Sequence, residues 1–219
     1  MTDAATAGLR ADAARNRQLL LEAARTVFAE RGLDVSMRQI ALQAGVGEPT
    51  LRRRFASREQ LIAEAFQDKV AAYADEAERA VRNTYAWNGL TDFVHSVARM
   101  QLEDRGFTDV LTMTFPESMR AETSRRRAYD ALGVLIARAK NDGTLRRDFS
   151  PEDIVLVLMA HAGVVSAAGE LAPAFSERML AYFLEAFAAP GLGELPAAPS
   201  PATTYRALLG LQRTSPERR

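Results

Sequence analysis

The chain has no cysteine, only two histidines and a single tryptophan in 219 residues. Without cysteine there is no disulfide framework, no thiolate metal site and no thiol nucleophile. The histidines, His95 and His161, lie far apart with no ligand-type spacing around either, which speaks against a zinc centre. No glycine-rich phosphate loop and no G-x-S-x-G elbow occurs. These absences argue against an enzyme and imply neither cofactor nor metal. Alternating Val/Ile/Thr runs bounded by turns are also lacking, so no strand is expected. The longest apolar run, 154–165, is interrupted by His161 and is too short to cross a bilayer. The first residues, MTDAATAGLRADAARNRQ, lack the apolar core of a signal peptide. A cytoplasmic protein with no membrane partner is expected.

Helical periodicity is present throughout. Leu19, Leu20, Ala23, Ala24, Val27 and Phe28 recur at spacings of three and four before Gly32, predicting a helix over 15–31. Ser36 is a good N-cap for a short second helix carrying Ile40, Ala41 and Ala44, with Gly45 as its stop. A third helix starts near Gly47–Glu48 with Pro49 in its first turn. Ser57 and Gln60 have capping-box spacing ahead of a fourth helix reaching about Val81. Further helices are expected near 90–105, 108–114, 117–141, 151–168 and 174–189. From Pro190 the composition turns Pro-rich, predicting an extended tail over 190–219 with at most a short helix near 204–212.

The net charge is zero, yet residues 1–60 hold ten Lys/Arg against seven Asp/Glu. Five arginines fall between Arg38 and Arg58, three of them consecutive at Arg52, Arg53 and Arg54. Three successive helical residues fan over about 200° and cannot share one face. With Leu51 and Phe55 turned inward, Pro49, Thr50 and Arg53 occupy the centre of the opposite face, flanked by Arg52 and Arg54. Such a helix offers base contacts in its middle and phosphate contacts at its edges. Taken alone, the same arginines also suit an ordinary solvated helix end.

Two short helices joined by a tight glycine turn match the helix-turn-helix pattern. The run LLLEAARTVFAERGLDVSMRQIALQAGVGEPTLRRRFASREQLIAEAF, from Leu19 to Phe66, resembles the TetR family of transcriptional repressors. The resemblance implies that Ser36 caps the second helix and touches phosphate, and that Arg38 reaches a base edge or phosphate. It implies that Glu48, Pro49, Thr50 and Arg53 face the major groove, and that Arg58, where the family has Lys, holds phosphate. The family commonly has Tyr at position 52 and an aromatic or His at 54; here Arg52 and Arg54 supply charge in place of those rings. Arg10, Arg15 and Arg17 fall in an N-terminal arm over 1–14 and just beyond it. That arm either adds contacts to DNA or is a solvated tail.

The expected fold is therefore all-α, with about nine helices. A helix-turn-helix DNA-binding domain (15–60) precedes a larger helical ligand-binding and dimerisation domain (61–189). The segments 154–165, apolar all round, and 179–189 are expected either as a homodimer interface through about 151–189 or as internal core. Trp87, His95, Arg99, Phe115, Met119, Tyr129, Leu132 and His161 lie where the family places its cavity. Each is either pocket lining or core. His95, Arg99 and Leu102 share a stripe suited to an amphiphilic ligand with an acidic group. The function implied is a homodimeric repressor on a palindromic double-stranded operator, released by a small-molecule inducer. An activator, or a ligand-binding dimer with degenerate DNA binding, remains the alternative.

Overall fold

The computed structural model describes the backbone of residues 2–113, 120–191 and 193–214, with side chains from 14 onward and as far as 208. Eleven α-helices are present among them. The first four are α1 (Thr2–Arg31), α2 (Met37–Gln43), α3 (Glu48–Arg54) and α4 (Arg58–Ala65). They are followed by α5 (Gln67–Val81), α6 (Ala86–Glu103), α7 (Arg105–Leu111) and α8 (Arg120–Asn141). The last are α9 (Pro151–Ala168), α10 (Ala172–Phe187) and α11 (Pro201–Thr214). The described residues include no strand, only an isolated bridge between Leu145 and Ala188.

Eleven helices stand where about nine are expected, and three departures in boundary matter most. Helix α1 continues back through the segment read as an arm. The helix expected from Ser57 to Val81 breaks at Phe66, which leaves helical geometry at φ −101°, ψ 3°. Phe66 is fully buried there, its ring 5.8 Å from that of Phe28. Tertiary packing of that ring, rather than any helix-breaking residue, accompanies the break. The tail is not wholly extended: Ser200 caps α11 through the Thr203 amide (3.2 Å), with Pro201 in the first turn, as a Ser-Pro helix start allows.

The core spans both halves of the chain without interruption. Helices α5 and α8 form the main packed pair of the larger domain, and α9 and α10 form a hairpin beside α6. At Gly89 the chain approaches so closely that an added Cβ would lie 2.4 Å from the carbonyl oxygen of Ala80. The 151–187 stretch is apolar, with mean hydropathy up to 1.9, but it folds back at the Gly169–Leu171 turn.

Helix α9 turns only one side to the core of this chain. Its apolar run is not buried all round: Ile154, Val157, Leu158, His161 and Val165 face the core, whereas Leu156 is 58 % exposed. Ala160 is half-buried, and Gly163 and Ala167 are exposed, in register with Leu156 along the same face. On α10, Phe175 and Tyr182 are each 57 % exposed, seven residues apart and so on one side of the helix.

Candidate DNA interface and effector cavity

The helix-turn-helix is built by short-range chemistry. Ser36 Oγ accepts the amide of Gln39 at 3.2 Å, and Gln39 Oε1 accepts the amide of Ser36 at 2.8 Å, completing a capping box on α2. Gly45 ends α2 at φ +66°. The Gly45 amide donates to Leu42 and the Val46 amide to Ala41, the paired bonds of a Schellman turn. Helix α3 then sets out at a new angle, with Leu51 and Phe55 fully buried as its anchor. Ser57 caps α4 through the Gln60 amide (3.1 Å), but the Gln60 side chain turns to the Ala56 amide (2.8 Å) instead of closing the box.

The outer face of α3 carries exposed Pro49, Arg52, Arg53 and Arg54 with half-buried Glu48 and Thr50. Arg52 pairs with Glu48 one turn back, its Nε 2.8 Å from the carboxylate. An Arg53 terminal nitrogen lies 3.3 Å from Thr50 Oγ1. Exposed ion pairs of this kind contribute little, so these cations remain available to a stronger anion such as phosphate. Arg38 and Ser36 are exposed at the start of α2. Of the residues read from the sequence, Ser36 and Arg38 at α2 and Glu48, Pro49, Thr50, Arg52, Arg53 and Arg54 on α3 are thus all at least partly exposed.

Arg58 is arranged differently. Its two terminal nitrogens donate to the carbonyls of Leu33 and Val35, tying α4 to the loop between α1 and α2. Burial holds its pKa below the usual arginine value, partly offset by Glu59 and Asp34. Arg17 also has a structural position rather than that of an arm residue. Its guanidinium sits 4.4 Å over the Phe55 ring, donates to the Arg54 carbonyl at 2.7 Å and pairs with Glu64. It therefore clamps the C-terminal end of α3 onto α1 and α4. No local motif marks this contact, because the partners are 37 and 47 residues away.

A cavity of about 320 Å³ opens in the larger domain, within the size range of small-molecule sites. Apolar walls come from Leu111, Leu132, Ile154, Val155, Leu158 and Leu208. Tyr73, Tyr129, Tyr205, Thr112 and Thr204 add hydroxyls, and Glu122, Glu152, Arg125 and Arg126 add charge. Arg125 donates to the carbonyls of Val110, Leu111 and Met113, capping α7, at 3.1 Å for Val110. Tyr129 Oη donates to the buried Glu152 carboxylate at 3.3 Å. Burial pushes the Tyr73 hydroxyl up to about 12, with Arg125 opposing, so that group stays protonated and able to donate.

Of the pocket residues expected from sequence, Tyr129 and Leu132 line this cavity. His95 and Arg99 are exposed on α6 and do not, which removes the stripe that suggested an acidic ligand. Trp87 packs half-buried against the core. Phe115 and Met119 lie outside the described residues. His161 is fully buried in its own polar network: Nδ1 is 2.8 Å from Gln101 Oε1 and Nε2 is 2.7 Å from Ser176 Oγ. Because Gln101 Nε2 donates to the Leu158 carbonyl, its oxygen faces the ring. The proton is thereby placed on Nδ1, and Ser176 donates to Nε2. Sequence reading missed Tyr73, Arg125, Arg126 and Tyr205, whose only shared property is convergence in space.

Residues 20–65 match the family described as bacterial regulatory proteins, tetR family, and residues 86–187 match the SbtR-like transcriptional regulator C-terminal domain. No curated protein matches significantly. Among solved structures, a TetR transcriptional regulator from Streptomyces coelicolor is 28 % identical, with TM-score 0.50 over 78 % of this chain and 98 % of that one. The transcriptional regulator FadR from Bacillus subtilis, solved with stearoyl-CoA, is 16 % identical, with TM-score 0.57 over 76 % of this chain and 97 % of that one. The ketosteroid transcriptional regulator of Mycobacterium tuberculosis is 19 % identical, with TM-score 0.56 over 78 % and 94 % of the two chains. At such identities the last two are similar in fold alone.

Proposed function

Because the chain belongs to the TetR family of DNA-binding transcriptional regulators, we propose that it is a homodimeric cytoplasmic repressor, released from a palindromic operator by a small molecule. The observation that carries the reading is the joint presence of an arginine-faced α3 and a separate, ligand-sized cavity in one continuous core. Pro49, Thr50 and Arg53 with Glu48 read the major groove; Ser36, Arg38, Arg52 and Arg54 meet the flanking phosphates. Arg58 acts here mainly by holding α4 against the α1–α2 loop.

Dimerisation uses the exposed apolar faces of α9 and α10. Leu156 on α9 and Phe175 and Tyr182 on α10 are exposed outside the core, the Tyr182 ring under the Arg178 guanidinium, and large apolar side chains left out in this way suit an interaction site. A two-fold axis through it would form a four-helix interface and pair two α3 helices for successive major grooves. Ligand release then works by population shift: a molecule that favours a form with the wrong α3 spacing lowers operator affinity. Helix α7 connects the two regions, since Leu111 lines the cavity and Asp109 accepts the Leu33 amide of the DNA-binding domain.

Selection from random duplexes tests the reading, followed by titration of the winner against scrambled DNA at two salt concentrations. A palindromic winner whose preference survives added salt supports it. Binding that vanishes with salt, with no sequence preference, overturns it.

A further inference from the structure

We infer that α11 is a lid on the cavity and that the cavity takes an uncharged, largely apolar small molecule. The inference rests on reading this cavity as the effector site. Helix α11 lies beyond both regions that match the family, the second of which ends at residue 187. It nevertheless supplies Pro201, Thr204, Tyr205 and Leu208 to the cavity wall, which Tyr129 and Val155 also line.

The described side chains of α11, 201–208, attach shallowly, none of them being buried. Helix α11 packs chiefly on α9, with Tyr205 half exposed and Leu208 half-buried. The chain just before it is held firmly instead. The buried Arg146 guanidinium donates to the carbonyls of Ala186 (3.1 Å) and Gly193 (2.6 Å), and the Leu195 amide donates to Asp148 at 3.0 Å. Arg146 and Asp148 are themselves paired. Between this clamp and Ser200 runs the exposed segment 196–199, Pro-Ala-Ala-Pro, a stiff extended spacer. A fixed strap, a short spacer and a weakly docked amphipathic helix are the parts of a lid. With none of its described side chains, 201–208, buried, this part of α11 belongs with the segments that open first.

The occupant's charge follows from the lining, which holds two acids and two arginines. Arg125 is committed to the α7 carbonyls and Glu152 to Tyr129. The four charges of the lining sum to zero, and Glu122 is the opposite charge acting on Arg125, so a charged ligand would lose its hydration to a wall with no net charge to replace it. An apolar molecule with a hydroxyl or carbonyl instead meets the leucines and the tyrosine hydroxyls.

The test uses the full chain and two fluorescent probes of one scaffold, neutral N-phenyl-1-naphthylamine and its anionic sulfonate relative 1-anilinonaphthalene-8-sulfonate. The neutral probe is expected to bind at least about tenfold more tightly than the anionic one, and Val155→Trp, which fills the cavity, to abolish its signal. Leu208→Asp, which undocks α11, is expected to speed probe uptake and release by about tenfold in stopped flow, with helicity retained. Tyr205→Ala should change the same rates in the same direction. Equal rates in the parent chain and both variants overturn the lid. A signal that survives Val155→Trp, or a preference for the anionic probe, overturns the ligand class. Probe uptake gated by α11 with unchanged operator affinity supports the inference and overturns ligand release instead.

Discussion

The carboxylate of Asp109 on α7 accepts the backbone amide of Leu33 at 2.7 Å, across 76 residues of sequence. The contact closes over Gly32, which sits at φ +72° and where a Cβ would lie 2.8 Å from Asp109 Oδ2. Burial raises the Asp109 pKa, with the Leu33 hydrogen bond and Arg105 opposing. The last turn of α1 is therefore held by a residue of the helix that borders the cavity. Asp109→Ala leaves the Leu33 amide without this acceptor and should cost about 1–3 kcal/mol in urea unfolding. Asp109→Asn keeps an acceptor oxygen and should recover most of that loss. Equal losses in both variants would show that charge, not the hydrogen bond, holds the joint.

Arg53 and Arg58 should separate cleanly. Arg53→Ala is expected to lose about 1–3 kcal/mol of operator binding and to relax preference at one base pair per half-site. Unchanged specificity would mean that α3 presents another face to the groove. Arg58→Ala leaves the Leu33 and Val35 carbonyls without their donor, so its effect should appear first in the melting temperature, without DNA.

His161 makes stability pH-dependent. Burial lowers its folded pKa below the ordinary 6.5, so the neutral ring is the form the fold accommodates. The unfolded chain binds the proton at higher pH than the folded one. The contribution of His161 is thus fully present above about 6.5 and is lost progressively as pH falls toward the folded pKa. Protonation would also place a second N–H against the Ser176 hydroxyl, which must then reverse its hydrogen bond. Denaturant midpoints measured from pH 7.5 to 5 should fall for the parent chain and fall less for His161→Gln. Parallel slopes would assign the acid sensitivity to other groups.

The α9–α10 face gives a prediction about assembly. Phe175→Glu combined with Tyr182→Glu places two charges on the proposed two-fold interface while sparing the buried Leu180 and Ser176. Sedimentation should then report a monomer in which the helical content is retained, because desolvating the added carboxylates opposes association. A persistent dimer would locate the interface elsewhere.

The helix-turn-helix was legible because its determinants are local. The Ser36–Gln39 box spans three residues, the Gly45 turn closes within five, and Leu51 and Phe55 are one helical turn apart. The α9 start was equally legible: the Ser150 amide donates to Asp153 at 2.7 Å, just ahead of Pro151. Local rules misled where packing prevailed. Ser57 and Gln60 suggested a continuous helix to Val81, but nothing near Phe66 in sequence announces that its ring will fill a space beside Phe28. The cavity was largely illegible. Tyr129 and Leu132 lie on α8, which lines the cavity, whereas α6, which carries His95 and Arg99, contributes nothing to its wall.

By itself, then, the sequence determined an all-helical chain with a DNA-reading motif at one end, because caps, glycine stops and i, i+4 apolar pairs act over a few residues. Tertiary structure alone decided that Arg17 and Arg58 brace the motif, that one face of α9 stays outside the core, and that α11 returns to cover the cavity. These outcomes depend on how helices tens of residues apart are rotated and docked against one another. That choice is made by the combined packing of the core, and no single stretch of the chain encodes it.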